Sequence, residues 1–150
     1  MPNIGDSERK TQNRVVEFFR DKLHYTYLGN LHDSENRNIR QERLHTWLLR
    51  QGYSEKLASN AVDALVKTSA NLQQGLYHAN KEVYSLLKYG AKVKESVEQS
   101  PKTVYFIDFE DVSKNDFYIA EEVTIVSNNT KRPDIVLYVN GIALAVIELK

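Results

Sequence analysis

The feature that most constrains this chain is a change of hydrophobic period near residue 91. Before it, apolar residues recur three and four apart. After it they alternate or run together, and β-branched and aromatic residues dominate. A chain that switches from a helical to a two-residue period buries its apolar groups best as helices packed on a sheet. The expectation is therefore an α+β (mixed α/β) fold: a mixed, mostly antiparallel sheet flanked by helices, with helices over about 7–90 and sheet over about 91–150. At 150 residues the chain is long enough for one domain with a real core.

Local signals predict the elements. Asp6 or Ser7 is placed to cap a helix running to about Leu23, with Val15, Phe18, Phe19 and Leu23 inward. Tyr25-Thr26-Tyr27-Leu28 reads as a short strand, and residues 29–38, rich in Asn, Asp and Ser, as a loop. Three more helices are expected. One covers about 39–51 with Leu44, Trp47 and Leu48 inward, and one is capped by Ser54 and buries Leu57, Ala61 and Leu65. The last covers about 77–89, buries Val83, Leu86 and Leu87, and ends at Gly90. Residues 92–97 and 103–109 can pair across the turn Gln99-Ser100-Pro101-Lys102. A helical turn at Asn115 precedes a strand at 122–126, and strands at 133–139 and 142–149 meet at Asn140-Gly141.

Composition removes several chemistries. Cysteine is absent, which excludes disulfides, thiolate zinc sites, iron–sulfur clusters and Cys nucleophiles. The six glycines are scattered, so no phosphate-cradling loop exists, and the four histidines lack metal-ligand spacing. No apolar run approaches the ~18 residues of a spanning helix, and the first residues carry no signal pattern, so a cytoplasmic protein without membrane contact is expected. Twenty basic residues balance twenty acidic ones, which argues against a polycation bound by phosphate attraction alone. The balance is uneven: the last third holds five basic and eight acidic residues, a deficit of three. Nine tyrosines, several beside Lys or Arg, could stack on bases; next to apolar helical stripes they read first as packing residues.

The end of the chain carries the chemistry. The two apolar strands around Asn140-Gly141 bear only three groups charged at neutral pH, Asp134, Glu148 and Lys150, all at the open end of the hairpin. Buried carboxylates there need compensation, from the lysine or from a metal ion. Glu148 and Lys150 share a face. A two-residue turn sets Asp134 beside Ile147, away from Glu148. A three-residue loop, Val139-Asn140-Gly141, sets it opposite Val146 with Glu148 as its same-face diagonal neighbour, roughly 7–8 Å away. A shared metal site therefore requires a bulged turn or a bulge near Asp134. Hard oxygen ligands, Mg²⁺ and an adjacent ammonium suit phosphodiester hydrolysis.

Asp134 and Glu148-Leu149-Lys150 match the PD-(D/E)xK nuclease motif. The chain as a whole resembles the amino-terminal endonuclease domain of the type I restriction enzyme R subunit, the motor subunit. The likeness is carried by Ser7-Glu8-Arg9-Lys10-Thr11-Gln12-Asn13-Arg14-Val15, by Ala79-Asn80-Lys81-Glu82-Val83-Tyr84 through Lys88-Tyr89-Gly90, by Asn115-Asp116-Phe117 and by Arg132-Pro133-Asp134-Ile135-Val136-Leu137. It implies a restriction-endonuclease-like core and a Mg²⁺-dependent nuclease (Mn²⁺ as substitute) acting on double-stranded DNA beside modification and specificity subunits. Asp134, Glu148 and the Leu149 main-chain carbonyl would be ligands and Lys150 the catalytic lysine.

Glu8 falls where related nucleases place a helical glutamate. Glu8, Gln12, Val15 and Phe19 lie at i, i+4, i+7 and i+11, so the spacing predicts that Glu8 extends the buried stripe, with Gln12 in support. Glu8 equally reads as a charge stabilising the helix N-terminus. Lys131, Arg132, Arg9 and Arg14 are candidate phosphate contacts. By the same resemblance the core is expected to be truncated after Lys150, with the ATP-dependent motor domains beyond it and the isolated piece weak or inactive. Two rival readings remain at this point: a non-catalytic docking module whose acids and lysine form an ion cluster, and a stand-alone nuclease such as a junction resolvase.

Overall fold

A computed structural model describes residues 4–33, 37–124 and 130–150. By its internal contacts the chain divides into two units, one drawn from residues 1–38 and 116–150, the other from 39–115. The fold class is α+β: among the described residues, four α-helices accompany a mostly antiparallel four-stranded sheet.

In the first unit, α1 (Ile4–Glu17) continues into one π-helical turn, Phe18–Lys22. Strand β1 (Thr26–Asn30) follows, then β4 (Phe117–Glu121), β5 (Ile135–Val139) and β6 (Ile142–Ile147), in sheet order β1-β4-β5-β6. Only β1–β4 is parallel. Strand alternation sorts the core onto two faces. Ile119 and Ile135 pack with Val16 of α1, joined by Val15, Phe19, Leu137, Ile147 and Leu149. Ala120, Val136 and Tyr138 pack with Val123, Leu28 and Leu31 on the other face. A sheet covered on both sides explains why β5 reads as an unbroken apolar run rather than an alternating one.

The second unit holds α2 (Gln41–Arg50), α3 (Glu55–Ala70) and α4 (Leu76–Tyr89), with the small antiparallel pair β2 (Ala91–Val93) and β3 (Lys102–Val104). Leu44, Trp47, Leu48, Ala58, Ala61 and Leu65 are buried. The Trp47 indole N–H donates to the Lys114 carbonyl at 2.9 Å. Ser54 caps α3 as expected, its hydroxyl accepting from the Leu57 N–H. Gly90 ends α4 at φ +81, where a Cβ would lie 2.8 Å from both Thr103 Cγ2 and the Val104 carbonyl oxygen. No helix among the described residues is long and apolar enough to cross a membrane.

Four expectations shift. Helix α1 starts at Ile4, ahead of the expected cap, and Phe18 and Leu23 are exposed at 52% and 46%. The wider π turn rotates them off the inward stripe and leaves Phe19 to pack edge-on against Tyr25 at 5.0 Å. The hairpin after Gly90 is much shorter than predicted, three residues a side, and Val97, the last residue of the expected first strand, is 92% exposed. In α4, Ala79 is the buried residue, while Val83, Leu86 and Leu87 are only half-buried. Strand β4 occupies 117–121 rather than 122–126: Glu122 takes a left-handed φ of +48 and ends it, and residues 125–129 lie outside those described.

Candidate active site

Asn140 and Gly141 adopt φ +53 and +90, the left-handed pair of a type I′ turn, so β5 and β6 are joined by two residues. Asn140 fixes the turn, its side-chain Oδ1 accepting from the Asp116 N–H at 2.7 Å while its backbone N–H donates to the Asp116 carbonyl at 2.8 Å. The pairing begins as Val139 with Ile142 and Tyr138 with Ala143, then slips to Leu137 with Ala145, leaving Leu144 as the extra residue of a β-bulge. Beyond it Ile135 pairs with Ile147. One further step in that register sets Asp134 directly opposite Glu148. The three-residue loop is not found. A bulge is found, but at Leu144 within β6 rather than in the turn or near Asp134, and its register sets Glu148 opposite Asp134 where a diagonal neighbour was expected.

At that end, Asp134 is half-buried and Pro133 buried, while Glu148 and Lys150 are exposed. One Asp134 oxygen, Oδ2, accepts from the Leu149 N–H at 2.7 Å, and its carbonyl accepts from the Glu122 N–H at 2.9 Å. Asp134 therefore ties the end of β4 to the end of β6. Leu149 packs with Val16, Ile119 and Ile135 on the α1 face. Alternation then turns Glu148 and Lys150 to the opposite face, together with Asp134.

The stripe of α1 departs from expectation at its first turn. Gln12 and Val16 are buried, and Val15 and Phe19 pack half-buried on the same face, but Glu8 is exposed, so the buried stripe begins at Gln12. Gln12 meets a residue the sequence did not single out. Its Nε2 donates to Glu121 Oε2 at 2.6 Å, and the Tyr27 hydroxyl donates to Glu121 Oε1 at 2.6 Å. Arg9 lies 4.0 Å from Glu121 and 3.6 Å from Glu122, and Asn30 donates to Glu122 at 2.7 Å. Arg9 thus faces two carboxylates; Arg14, Lys131 and Arg132 are exposed. The signal for Glu121 was available in principle: a glutamine inside an apolar helical stripe requires a polar partner.

Burial first, then the hydrogen bond it donates to Glu121 and the charge of that carboxylate, push the Tyr27 phenol up to about 12. The folded state holds this proton more tightly than the unfolded chain, whose phenol titrates near 10. The contribution to stability is complete below about pH 10 and is lost as pH rises through 12. Urea midpoints measured across that window should fall with pH in the wild type, and Tyr27→Phe should flatten this component of the fall.

The donor set suits a hard dication. Asp134 keeps Oδ1 clear of its hydrogen bond to Leu149, and one step past the Ile135–Ile147 pair the register sets Glu148 opposite it. Among the described residues no group of three or more His, Cys, Asp or Glu side chains is gathered to hold a metal, so Glu8 does not join Asp134 and Glu148 in such a group.

Comparison with known proteins adds a family. Residues 5–150 match the family model described as the N terminus of type I restriction enzyme R protein. A putative type I restriction enzyme MjaIXP endonuclease subunit from Methanocaldococcus jannaschii is 30% identical over 124 residues, covering 77% of this chain and 11% of the relative. The type I restriction enzyme HindI endonuclease subunit of Haemophilus influenzae is 35% identical over 100 residues, 63% of this chain and 10% of the relative. The chain thus spans about a tenth of the length of these curated relatives. No solved structure matches it.

Proposed function

The chain belongs to the family of type I restriction enzyme R protein N termini, and from that membership we propose that it carries the endonuclease site of such a subunit, a PD-(D/E)xK centre that hydrolyses phosphodiester bonds in double-stranded DNA. The observation that carries the reading is the bulge at Leu144, past which the register pairing Ile135 with Ile147 sets Asp134 opposite Glu148, two residues before Lys150. Asp134, Glu148 and the Leu149 carbonyl would hold Mg²⁺, which when bound polarises a phosphate and lowers the pKa of a water. Lys150 presents ammonium N–H groups to the charge that develops on the phosphate oxygens. The hydrogen bond from Leu149 holds the Asp134 carboxylate in place before any substrate arrives. Gln12 and Glu121 join α1 to β4 on the opposite face and keep that strand end in register. In this reading ATP-driven translocation belongs to motor domains outside these residues, and modification and specificity subunits select the DNA.

The test is metal-dependent cutting of circular duplex DNA by the assembled enzyme. Glu148→Ala should lose both Mn²⁺ binding at this site, followed by calorimetry without nucleotide, and cutting. Unchanged metal binding together with unchanged cutting would reduce the acids and lysine to a structural ion cluster and leave the chain a docking module.

A further inference from the structure

Among the tyrosines first read as packing residues, those of α4 do not pack: Tyr77, Tyr84 and Tyr89 are 83%, 63% and 63% exposed. Tyr77, Lys81, Tyr84 and Lys88 follow one another at i, i+4, i+7 and i+11, so at 100° per residue they fall within about 60° of the helix circumference. Asn80 and Ser85 widen this pole to about 140°, and all six residues are exposed. The buried side of the helix, centred on Ala79, is turned the other way. The acid of α4, Glu82, lies off the pole, where it faces His78 at 3.8 Å. The Lys88 ammonium sits over the rings of Tyr84 and Tyr89, 5.9 and 5.2 Å from their centroids.

We propose that this outward face of α4 binds the phosphate backbone of duplex DNA. Every one of its six side chains can donate a hydrogen bond to a phosphate oxygen, and the pole carries no carboxylate to repel one. That complementarity to a polyanion stands out in a chain whose total charge is zero. Lys81 and Lys88 are about 10 Å apart along the helix axis, a span over which one strand of a duplex presents about three phosphates. The stacking of Lys88 on two rings restrains a long side chain in an outward position, which lowers the entropic cost of binding. The choice of DNA among polyanions rests on the function proposed above; the face itself does not.

The experiment is anisotropy of a fluorescein-labelled duplex with the full subunit in EDTA, where nothing is cut, from about 50 to 200 mM salt. Lys81→Gln/Lys88→Gln, whose side chains support no core, should bind the duplex about tenfold more weakly at the low-salt end. It should also reduce the slope of log affinity against log salt by about 2, one for each ammonium withdrawn from a phosphate. Tyr84→benzoylphenylalanine should photocrosslink to the duplex. An unaltered slope in the double variant, or a crosslink to a protein subunit and none to DNA, overturns the proposal. Either failure leaves Asp134-dependent cutting as it was. Conversely, loss of the nuclease assignment would leave the EDTA binding result standing.

Discussion

Replacing Asp134 by Asn should abolish cutting by the assembled enzyme, a fall of at least about a hundredfold, while DNA binding and folding are retained. The carboxamide is nearly isosteric, and its oxygen still accepts from the Leu149 N–H that Asp134 Oδ2 holds at 2.7 Å. The tie between β5 and β6 therefore persists, and only the negative charge is removed. A metal ion contributes several kcal/mol to stabilising charge in the transition state, and each 1.36 kcal/mol is a factor of ten in rate. Asp134→Ala should cut no better and should also melt earlier, because it leaves the half-buried Leu149 N–H without its charged acceptor, at a cost of about 1.5–3 kcal/mol. The two variants separate chemistry from structure. If Asp134→Asn cuts like the wild type, the carboxylate charge has no part in the reaction and the nuclease reading falls.

The site was legible in the sequence to different depths at different residues. Asn140-Gly141 declared its turn because both positions need positive φ, a demand met locally and met here at +53 and +90. The sharing of one face by Asp134 and Glu148 could be reduced to a shift of register, but the shift was expected in the turn or near Asp134, with Glu148 diagonal to Asp134 rather than opposite it. Ile142 to Ile147 is a run of interchangeable aliphatic residues, and nothing in it says which one will be left unpaired; the structure chooses Leu144, on the outermost strand of the sheet. Strand propensity alone places β4 a few residues too late, because Val123, Thr124, Ile125 and Val126 are better strand formers than Phe-Tyr-Ile-Ala-Glu. Pairing with β5 decides the matter: Phe117 to Glu121 oppose Val139 to Ile135 one for one. Glu8 illustrates a limit of helical periodicity. The spacing 8, 12, 15 and 19 correctly turns Gln12, Val15 and Phe19 to the sheet, but it does not say where the stripe stops: the buried part begins at Gln12, whose partner lies 109 residues away, and Glu8, one turn earlier, is exposed.

That partner supports the second large prediction. Glu121 is a carboxylate at 8% exposure, held from both sides by Gln12 and Tyr27. Glu121→Ala removes two hydrogen bonds to a charged acceptor and leaves the buried Gln12 amide with no partner. At about 1.5–3 kcal/mol for each such bond, less the relaxation that a newly admitted water provides, the loss should be about 3 kcal/mol. Glu121→Gln should recover most of it. Its Oε1 can accept from Gln12, and its own amide can donate to the Tyr27 hydroxyl, which rotates to accept. The order of urea midpoints should be wild type, then Gln, then Ala, with the gap between Gln and Ala the larger. Hydrogen exchange locates the damage: the Glu122 amide, which donates to the Asp134 carbonyl, and the Leu149 amide, which donates to the Asp134 carboxylate, should both lose protection in Glu121→Ala. Amide protection unchanged at both positions would mean that Glu121 anchors α1 and β1 without supporting Asp134, and the end of β5 would then owe its geometry to the bulge alone.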